Sequence, residues 1–257
     1  MDVQNDQPRS TVSSEVWAEP TAALRGSIVV LAGRGEQQAV YRRFAARLAY
    51  DGYRVAVVAD AAADLDGTAA EVARLLQDRT DVPRILVGSD TGASVAATLL
   101  AQGLAFADVA VLAGLPVAGA TGELDWSAEL EARSACPVHR GVLDEAGALD
   151  HGSLSRRDPV LDAVDAATLA GVLVPVLTLH GTADVISPVE AAAAVYDAAP
   201  EVESYLIEGG RHDILNDVTH RSVAATVVLF LERLRSPGRE RVVLPAREAL
   251  PLATMKV

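Results

Sequence analysis

An acidic residue framed by two glycines is the first candidate for chemistry in this sequence. Asp90 is the centre of Gly88-Ser89-Asp90-Thr91-Gly92, which follows an apolar run and precedes an alanine-rich one. Two glycines at this spacing permit a strained turn between a strand and a helix, with the central side chain exposed above the sheet. A carboxylate beside the first turn of a helix is favoured in its ionised form by roughly 0.3 to 2 kcal/mol. We therefore predict that Asp90 is an anionic nucleophile.

An acid and a histidine follow in two later segments that end in loops. Asp184 closes Val174–Asp184, where a strand pattern passes into a loop before Ser187-Pro188. His212 follows the strand pattern Tyr205–Ile207 and a pair of glycines. A histidine can take a proton from water, and an acid on its other side fixes its orientation. The order nucleophile, acid, histidine predicts His212 as the base and Asp184 as the residue that orients it.

Each of these residues also has a structural interpretation. Asp90 could do no more than cap the following helix, and Asp184 and His212 could be ordinary loop residues. The presence of all three in loops of the expected order favours catalysis. Cys136 and His139 lie close in sequence without a frame to position them, so no thiol chemistry is predicted.

Short apolar segments alternate with amphipathic ones, and this arrangement would position the three loops. Strands are predicted at Ser27–Ala32, Tyr53–Ala59, Arg84–Val87, Val109–Ala113, Val174–Leu179 and Glu203–Ile207. Helices are predicted at Gln38–Tyr50, Ala69–Gln77, Thr91–Gln102, Pro188–Ala198 and Val218–Arg235. Such alternation is typical of a mainly parallel sheet covered on both faces. The prediction is one doubly wound α/β domain.

The alternation of predicted strands and helices begins and ends within the chain, and these limits predict the domain organisation. Residues 1–20 are polar and predict a flexible arm, residues 21–236 form the α/β domain, and residues 237–257 form a tail. Between about residues 114 and 170 the pattern loosens, with helix-like pieces at Trp126–Arg133 and Pro159–Leu169. This segment predicts a small lid inserted over the edge of the sheet.

Composition excludes several classes of protein. Half of the 257 residues are hydrophobic, and the net charge of −13 disfavours binding to nucleic acid through clustered cations. A lone cysteine cannot form an internal disulfide. Every apolar stretch is far shorter than the roughly 20 residues of a membrane span, and the first residues do not resemble a secretory signal. We expect a cytoplasmic protein with a small-molecule substrate, and a homodimer is left open.

Three segments are similar to motifs of one enzyme superfamily. Ala32–Gln37, followed by Tyr41, Phe44 and Leu48, is similar to a motif of the type His-Gly-x-Gly-Glu-His, and His180–Pro188 and Gly210–Asp217 look like the acid and histidine loops that accompany it. Over about residues 26–234 the chain resembles the α/β-hydrolase superfamily, especially its monoacylglycerol lipase and lysophospholipase group. The resemblance implies the α/β-hydrolase fold, no cofactor and no metal. It also implies an oxyanion hole formed by the backbone N–H groups of Arg34 and Thr91.

Two positions depart from that group. Asp90 stands where the group has serine, and Ala32 stands where it has histidine. Asp90 instead resembles the haloalkane dehalogenases and epoxide hydrolases, in which an aspartate forms an alkyl ester that a histidine-activated water hydrolyses. Thr91 stands where the dehalogenases have tryptophan, and residues 114–170 contain no tyrosine to protonate an epoxide oxygen.

The predicted function is hydrolysis of a small or medium apolar substrate through an ester on Asp90. Trp126, in the predicted lid, is the candidate for contact with the substrate. Two alternatives remain. The fold could be repurposed for ligand binding or for a nonhydrolytic reaction with Asp90 as general base, or the protein could be an esterase in which Asp90 is the base.

Overall fold

The structure, a computed structural model, describes residues 13–77, 81–117, 122–156 and 164–238. The strands are β1 (Ser13–Ala18), β2 (Gly26–Leu31), β3 (Tyr53–Ala59), β4 (Arg84–Ser89), β5 (Val109–Ala113), β6 (Val176–Gly181) and β7 (Val202–Ile207). The α-helices are α1 (Arg42–Tyr50), α2 (Leu65–Gln77), α3 (Thr91–Ala101), α4 (Trp126–Arg133), α5 (Pro137–Leu143), α6 (Ala166–Ala170), α7 (Val189–Tyr196) and α8 (His220–Arg235). Short 3-10 helices occupy Gln38–Tyr41 and Ser153–Ser155.

The strands form one sheet in the order β1-β3-β2-β4-β5-β6-β7. Strands β2 to β7 run parallel, and β1 pairs antiparallel with β3 at the edge. Alternate side chains of β2 point to opposite faces, as strand geometry requires. Ile28 and Val30 join the core beneath α1 and α8, whereas Val29 and Leu31 join the core beneath α2 and α3. The predicted doubly wound parallel sheet is confirmed.

Strand β1 corrects the prediction of a flexible arm for residues 13–18. Residues 1–12 of that arm and residues 239–257 of the predicted tail lie outside the described residues. The backbone of β1 pairs with β3 in a register that sets Ser14 opposite Val58 and Val16 opposite Ala56. An edge strand is held by main-chain hydrogen bonds along one side only, so its sequence need not be continuously apolar. The polar composition that predicted an arm is therefore compatible with a strand.

Some helices begin or end at residues other than those predicted. The first predicted helix starts as the 3-10 helix Gln38–Tyr41 before α1, and α2 begins at Leu65 rather than Ala69. The Asp64 carboxylate accepts a hydrogen bond from the Gly67 N–H at 2.9 Å, so it caps a helix start that Gly67 obscures in the sequence.

The insertion between β5 and β6 packs on the loop that carries His212. Helix α4 has the predicted bounds, Trp126–Arg133, and α5 was not predicted. Part of the predicted helix Pro159–Leu169 lies outside the described residues, and α6 covers Ala166–Ala170. The last carbonyl of α4, that of Arg133, accepts a hydrogen bond from the Asp213 N–H at 2.8 Å. No helix in the described part of the chain is both long and apolar enough to span a membrane.

Candidate active site

The turn after β4 holds Asp90 in a strained backbone conformation. Its φ of 50° and ψ of −125° lie outside the regions that a side chain normally permits, at a cost of about 1–3 kcal/mol. A Cβ atom on Gly92 would lie 2.1 Å from the Leu31 carbonyl oxygen, and one on Gly88 would lie 2.3 Å from the Gly92 carbonyl oxygen. Only glycine fits at these two positions, and the two glycines make the sharp turn between β4 and α3 possible.

The loop after β6 presents the Asp184 carboxylate. One oxygen, Oδ1, accepts hydrogen bonds from the backbone N–H groups of Ile186 and Ser187, at 2.8 and 3.0 Å. The other oxygen, Oδ2, lies 2.8 Å from Nδ1 of His212, which extends from the loop after β7. Two fixed backbone donors thus aim this carboxylate at the histidine.

The structure brings Asp184, His212 and Asp90 into one hydrogen-bonded chain. On its other side His212 places Nε2 3.0 Å from Oδ1 of Asp90. Asp90 and His212 are each 1% exposed, and Asp184 is 7% exposed. These three positions come from separate loops at the carboxyl end of the parallel sheet, the edge at which ligands bind in such folds.

Neighbouring charges outweigh burial at each of these groups. Burial alone would raise the pKa of Asp90, but Arg34 and His212 hold it well below its usual range. Burial disfavours the imidazolium of His212, yet the carboxylates of Asp184 and Asp90 raise its pKa to about 10. Burial also opposes ionisation of Asp184, whose pKa is nevertheless lowered by His212. At neutral pH the chain of charges alternates in sign.

Arg34 contacts Asp90 through both its backbone and its side chain. The backbone N–H donates to Asp90 Oδ2 at 2.9 Å, while Nε donates to Oδ2 at 2.8 Å and Nη2 to Oδ1 at 2.9 Å. Sequence reasoning assigned a role to the backbone group alone and missed the guanidinium. No local sequence pattern could predict this contact, because the two residues are 56 positions apart. Thr91 opens α3 beside Asp90, and a contribution from its N–H stays a prediction.

A cavity of about 420 Å³ lies beside the Arg34 side chain. Its lining includes Arg34, Thr91, Asp60, Ser153 and Arg156. Asp90 is buried behind this surface. Arg34 both lines the cavity and binds the Asp90 carboxylate, so its guanidinium lies between the two.

Trp126 makes its polar and ring contacts within the insertion. The indole stacks on His151 with 3.6 Å between ring centroids, and Nε1 donates to the Asp144 carboxylate at 2.8 Å. A role for Trp126 in substrate binding stays a prediction. Within residues 13–77, 81–117, 122–156 and 164–238, no group of three or more histidine, cysteine, aspartate or glutamate side chains is arranged to hold a metal ion.

The parallel sheet, the strained turn after β4 and the loops after β6 and β7 define an α/β-hydrolase fold. Similar solved structures include a soluble variant of monoglyceride lipase from Saccharomyces cerevisiae, with a TM-score of 0.69 and 14% identity, covering 86% of this chain and 91% of that one. A monoacylglycerol lipase from Paleococcus ferrophilus has a TM-score of 0.68 and 17% identity, with 86% and 98% covered. A carboxyl esterase from Bacillus coagulans, solved with glycerol, has a TM-score of 0.62 and 15% identity, with 86% and 93% covered.

These likenesses establish the fold. No family model matches the chain, and the search of curated proteins found no match. The prediction of a cytoplasmic location stays a prediction, and a homodimer stays open.

Proposed function

We propose that this protein is a hydrolase that opens a carbon–heteroatom bond through an alkyl ester on Asp90. The observation that carries the proposal is the carboxylate of Asp90 on a strained turn, in hydrogen-bond contact with a histidine whose other nitrogen is paired with Asp184. Strain at a non-glycine residue is retained where the surrounding structure enforces it, and such positions cluster at functional sites.

The first step is attack by Asp90 Oδ1 on a saturated carbon of the substrate. The new bond joins this oxygen to the carbon, while the bond from the carbon to its halide or epoxide oxygen breaks and the leaving atom takes the electron pair. The low pKa of Asp90 keeps the nucleophile ionised. Attack on an ester carbonyl would instead give a mixed anhydride, so a saturated carbon suits this nucleophile better.

The second step is hydrolysis of the ester by water. Esterification removes the negative charge of Asp90, so the pKa of His212 falls and its imidazolium gives the Nε2 proton to the opened epoxide oxygen or, after departure of a halide, to solvent. The neutral imidazole can then accept a proton from water. The water oxygen attacks the carboxyl carbon of Asp90, and negative charge develops on Oδ2, to which the Arg34 N–H already donates. Collapse of this intermediate breaks the bond to the alkoxide, which takes the proton from His212 and leaves as an alcohol. The Asp90 carboxyl then gives the remaining proton of the water to His212, which restores the carboxylate and the imidazolium.

The Arg34 guanidinium favours a second candidate function. It holds both oxygens of Asp90, and a carboxylate paired in this way is a poor nucleophile until the guanidinium moves toward the cavity. If it does not move, the fold serves ligand binding without turnover. The esterases and lipases among the similar structures favour a third candidate, ester hydrolysis with Asp90 as base.

Trapping of the ester tests the proposal. We expect H212Q, incubated with a panel of epoxides, haloalkanes and aryl esters, to gain the mass of the alkyl group in intact-mass spectra. The double variant D90N/H212Q, treated in the same way, is expected to gain nothing. Turnover of aryl esters alone, with no alkyl adduct, would support the third candidate. Ligand affinity without turnover, unchanged in D90N, would support the second.

A further inference from the structure

A second buried ionic cluster surrounds Arg133, the last residue of α4. The Arg133 side chain has no exposed surface and lies among three carboxylates. Its Nη1 is 2.8 Å from Glu36 Oε1 and 3.4 Å from Asp213 Oδ1, and its Nη2 is 3.3 Å from Glu129 Oε1. We call Arg133, Glu36, Glu129 and Asp213 the Arg133 cluster. The catalytic steps proposed above do not use it.

The cluster holds the loop of Arg34 from both sides. Nη2 of Arg133 donates to the Arg34 carbonyl oxygen at 3.0 Å. On the other side of Arg34, the Gly33 N–H donates to Glu36 Oε2 at 3.2 Å, and Tyr41 donates its hydroxyl to the same oxygen. The two peptide groups next to the Gly33–Arg34 peptide are thereby held, and this limits the direction in which the Arg34 N–H of that peptide can point toward Asp90.

The same arginine is joined to the histidine loop and to the insertion. Asp213, which follows His212, contacts the guanidinium with its side chain and donates its N–H to the Arg133 carbonyl oxygen at 2.8 Å. Ser153, in the 3-10 helix of the insertion, accepts a hydrogen bond from Nη2 at 2.8 Å. Arg133 is therefore in contact with the loop of the oxyanion donor, the residue after the base, and the insertion.

We propose that Arg133 is a positioning residue for hydrolysis of the ester on Asp90. It acts through the Arg34 carbonyl, holding the residue whose N–H faces Oδ2, and through Asp213, holding the loop of His212. The inference rests on the proposed function. It assigns Arg133 chiefly to the second step, because negative charge on Oδ2 develops only when water attacks, whereas ester formation uses a carboxylate that is already ionised.

The two steps can be measured separately in single-turnover experiments. An excess of enzyme is mixed with the substrate identified in the trapping panel, and quenched samples are analysed by intact mass for the ester on Asp90. We expect the ester to accumulate in R133K, with hydrolysis slowed at least about tenfold and ester formation changed less than about threefold; complete loss of an oxyanion donor costs 10²–10³. R140K, whose arginine lies on α5 and binds the Ser134 carbonyl oxygen, is the control and should match the parent.

R133K is the main variant because lysine keeps a positive charge among the three carboxylates, and thermal unfolding followed by circular dichroism verifies that it folds. R133M, if folded, should accumulate more ester than R133K. Equal slowing of both steps, or hydrolysis by R133K at the parental rate, would overturn the inference and leave the proposed function intact. If no ester on Asp90 forms in either R133K or H212Q, both the inference about Arg133 and the proposed function are overturned.

Discussion

Two buried ionic clusters meet at the loop of Arg34, and they differ in their balance of charge. In the first, Asp184, His212, Asp90 and Arg34 alternate in sign, and each contact joins an anion to a cation. In the Arg133 cluster three carboxylates share one guanidinium. Arg34 has 12% of its side chain exposed and Arg133 has none, and the two clusters differ further in the count and order of their charges.

The pKa directions follow this difference. In the first cluster the neighbouring charges outweigh burial, so the acids have lowered pKa values and His212 has a raised one. In the second, burial and repulsion from Asp213 raise the pKa of Glu36 to about 7, and burial raises that of Asp213. Balanced charge preserves ionised groups for chemistry, whereas an excess of carboxylates makes the cluster retain a proton.

The largest expected effect comes from removing the central anion of the first cluster. D90N should reduce turnover at least about 10⁴-fold, as loss of a nucleophile does. It should also lower the free energy of unfolding by about 3–5 kcal/mol, because Arg34 and His212 are then buried without the carboxylate between them. Turnover assays and denaturant unfolding measure the two effects.

Asp60 offers a matched control for the stability of D90N. Its φ of 53° is positive like that of Asp90, but its side chain is exposed. Because surface substitutions usually change stability by less than about 0.5 kcal/mol, D60N should unfold near the parental midpoint. An equal loss of stability in D60N and D90N would mean that the turn conformation, and not the ion pairs, is responsible.

The next effect is the pH dependence that His212 gives to stability. Its folded pKa of about 10 exceeds the ordinary value of 6.5. The stabilisation is therefore fully present below pH 6.5 and is lost as the pH rises through 10, with a slope no steeper than about 1.4 kcal/mol per pH unit. Urea unfolding from pH 6 to pH 10 should show this decline in the parent and a flatter profile in H212Q. Parallel profiles would contradict the charged histidine.

The smallest effect is expected in the Arg133 cluster, at lower pH. Because the folded pKa of Glu36, about 7, lies above its ordinary 4.5, the folded carboxyl keeps a proton that the unfolded chain releases, and stability falls as the pH rises between these values. The stability of E36Q relative to the parent should therefore increase by about 1–3 kcal/mol between pH 4.5 and pH 8. E131Q, which alters an exposed carboxyl of α4, is measured alongside as the control. If the difference in stability between E36Q and the parent does not change with pH, the two clusters do not differ in ionisation as described.

Local sequence patterns were sufficient for the sheet and for the order of the site residues. Strands β2 to β6 are short apolar runs whose burial on both faces leaves a signature, and two glycines that tolerate no Cβ mark the turn at Asp90. Strand β1 left no such signature, because an edge strand is specified mainly by backbone pairing. Helix α5 was missed because seven residues that include a glycine carry little periodicity.

The sequence by itself determined that carboxylate, acid and histidine follow one another in loops after parallel strands, since the chain must return these loops to the same end of the sheet. Only the tertiary structure decided that the Arg34 guanidinium covers Asp90 and that Arg133 is buried among three carboxylates. Those contacts join residues 56 and 97 positions apart, between side chains whose types are common on protein surfaces. Their burial depends on how the insertion packs against two other loops, and no local pattern of residues encodes that packing.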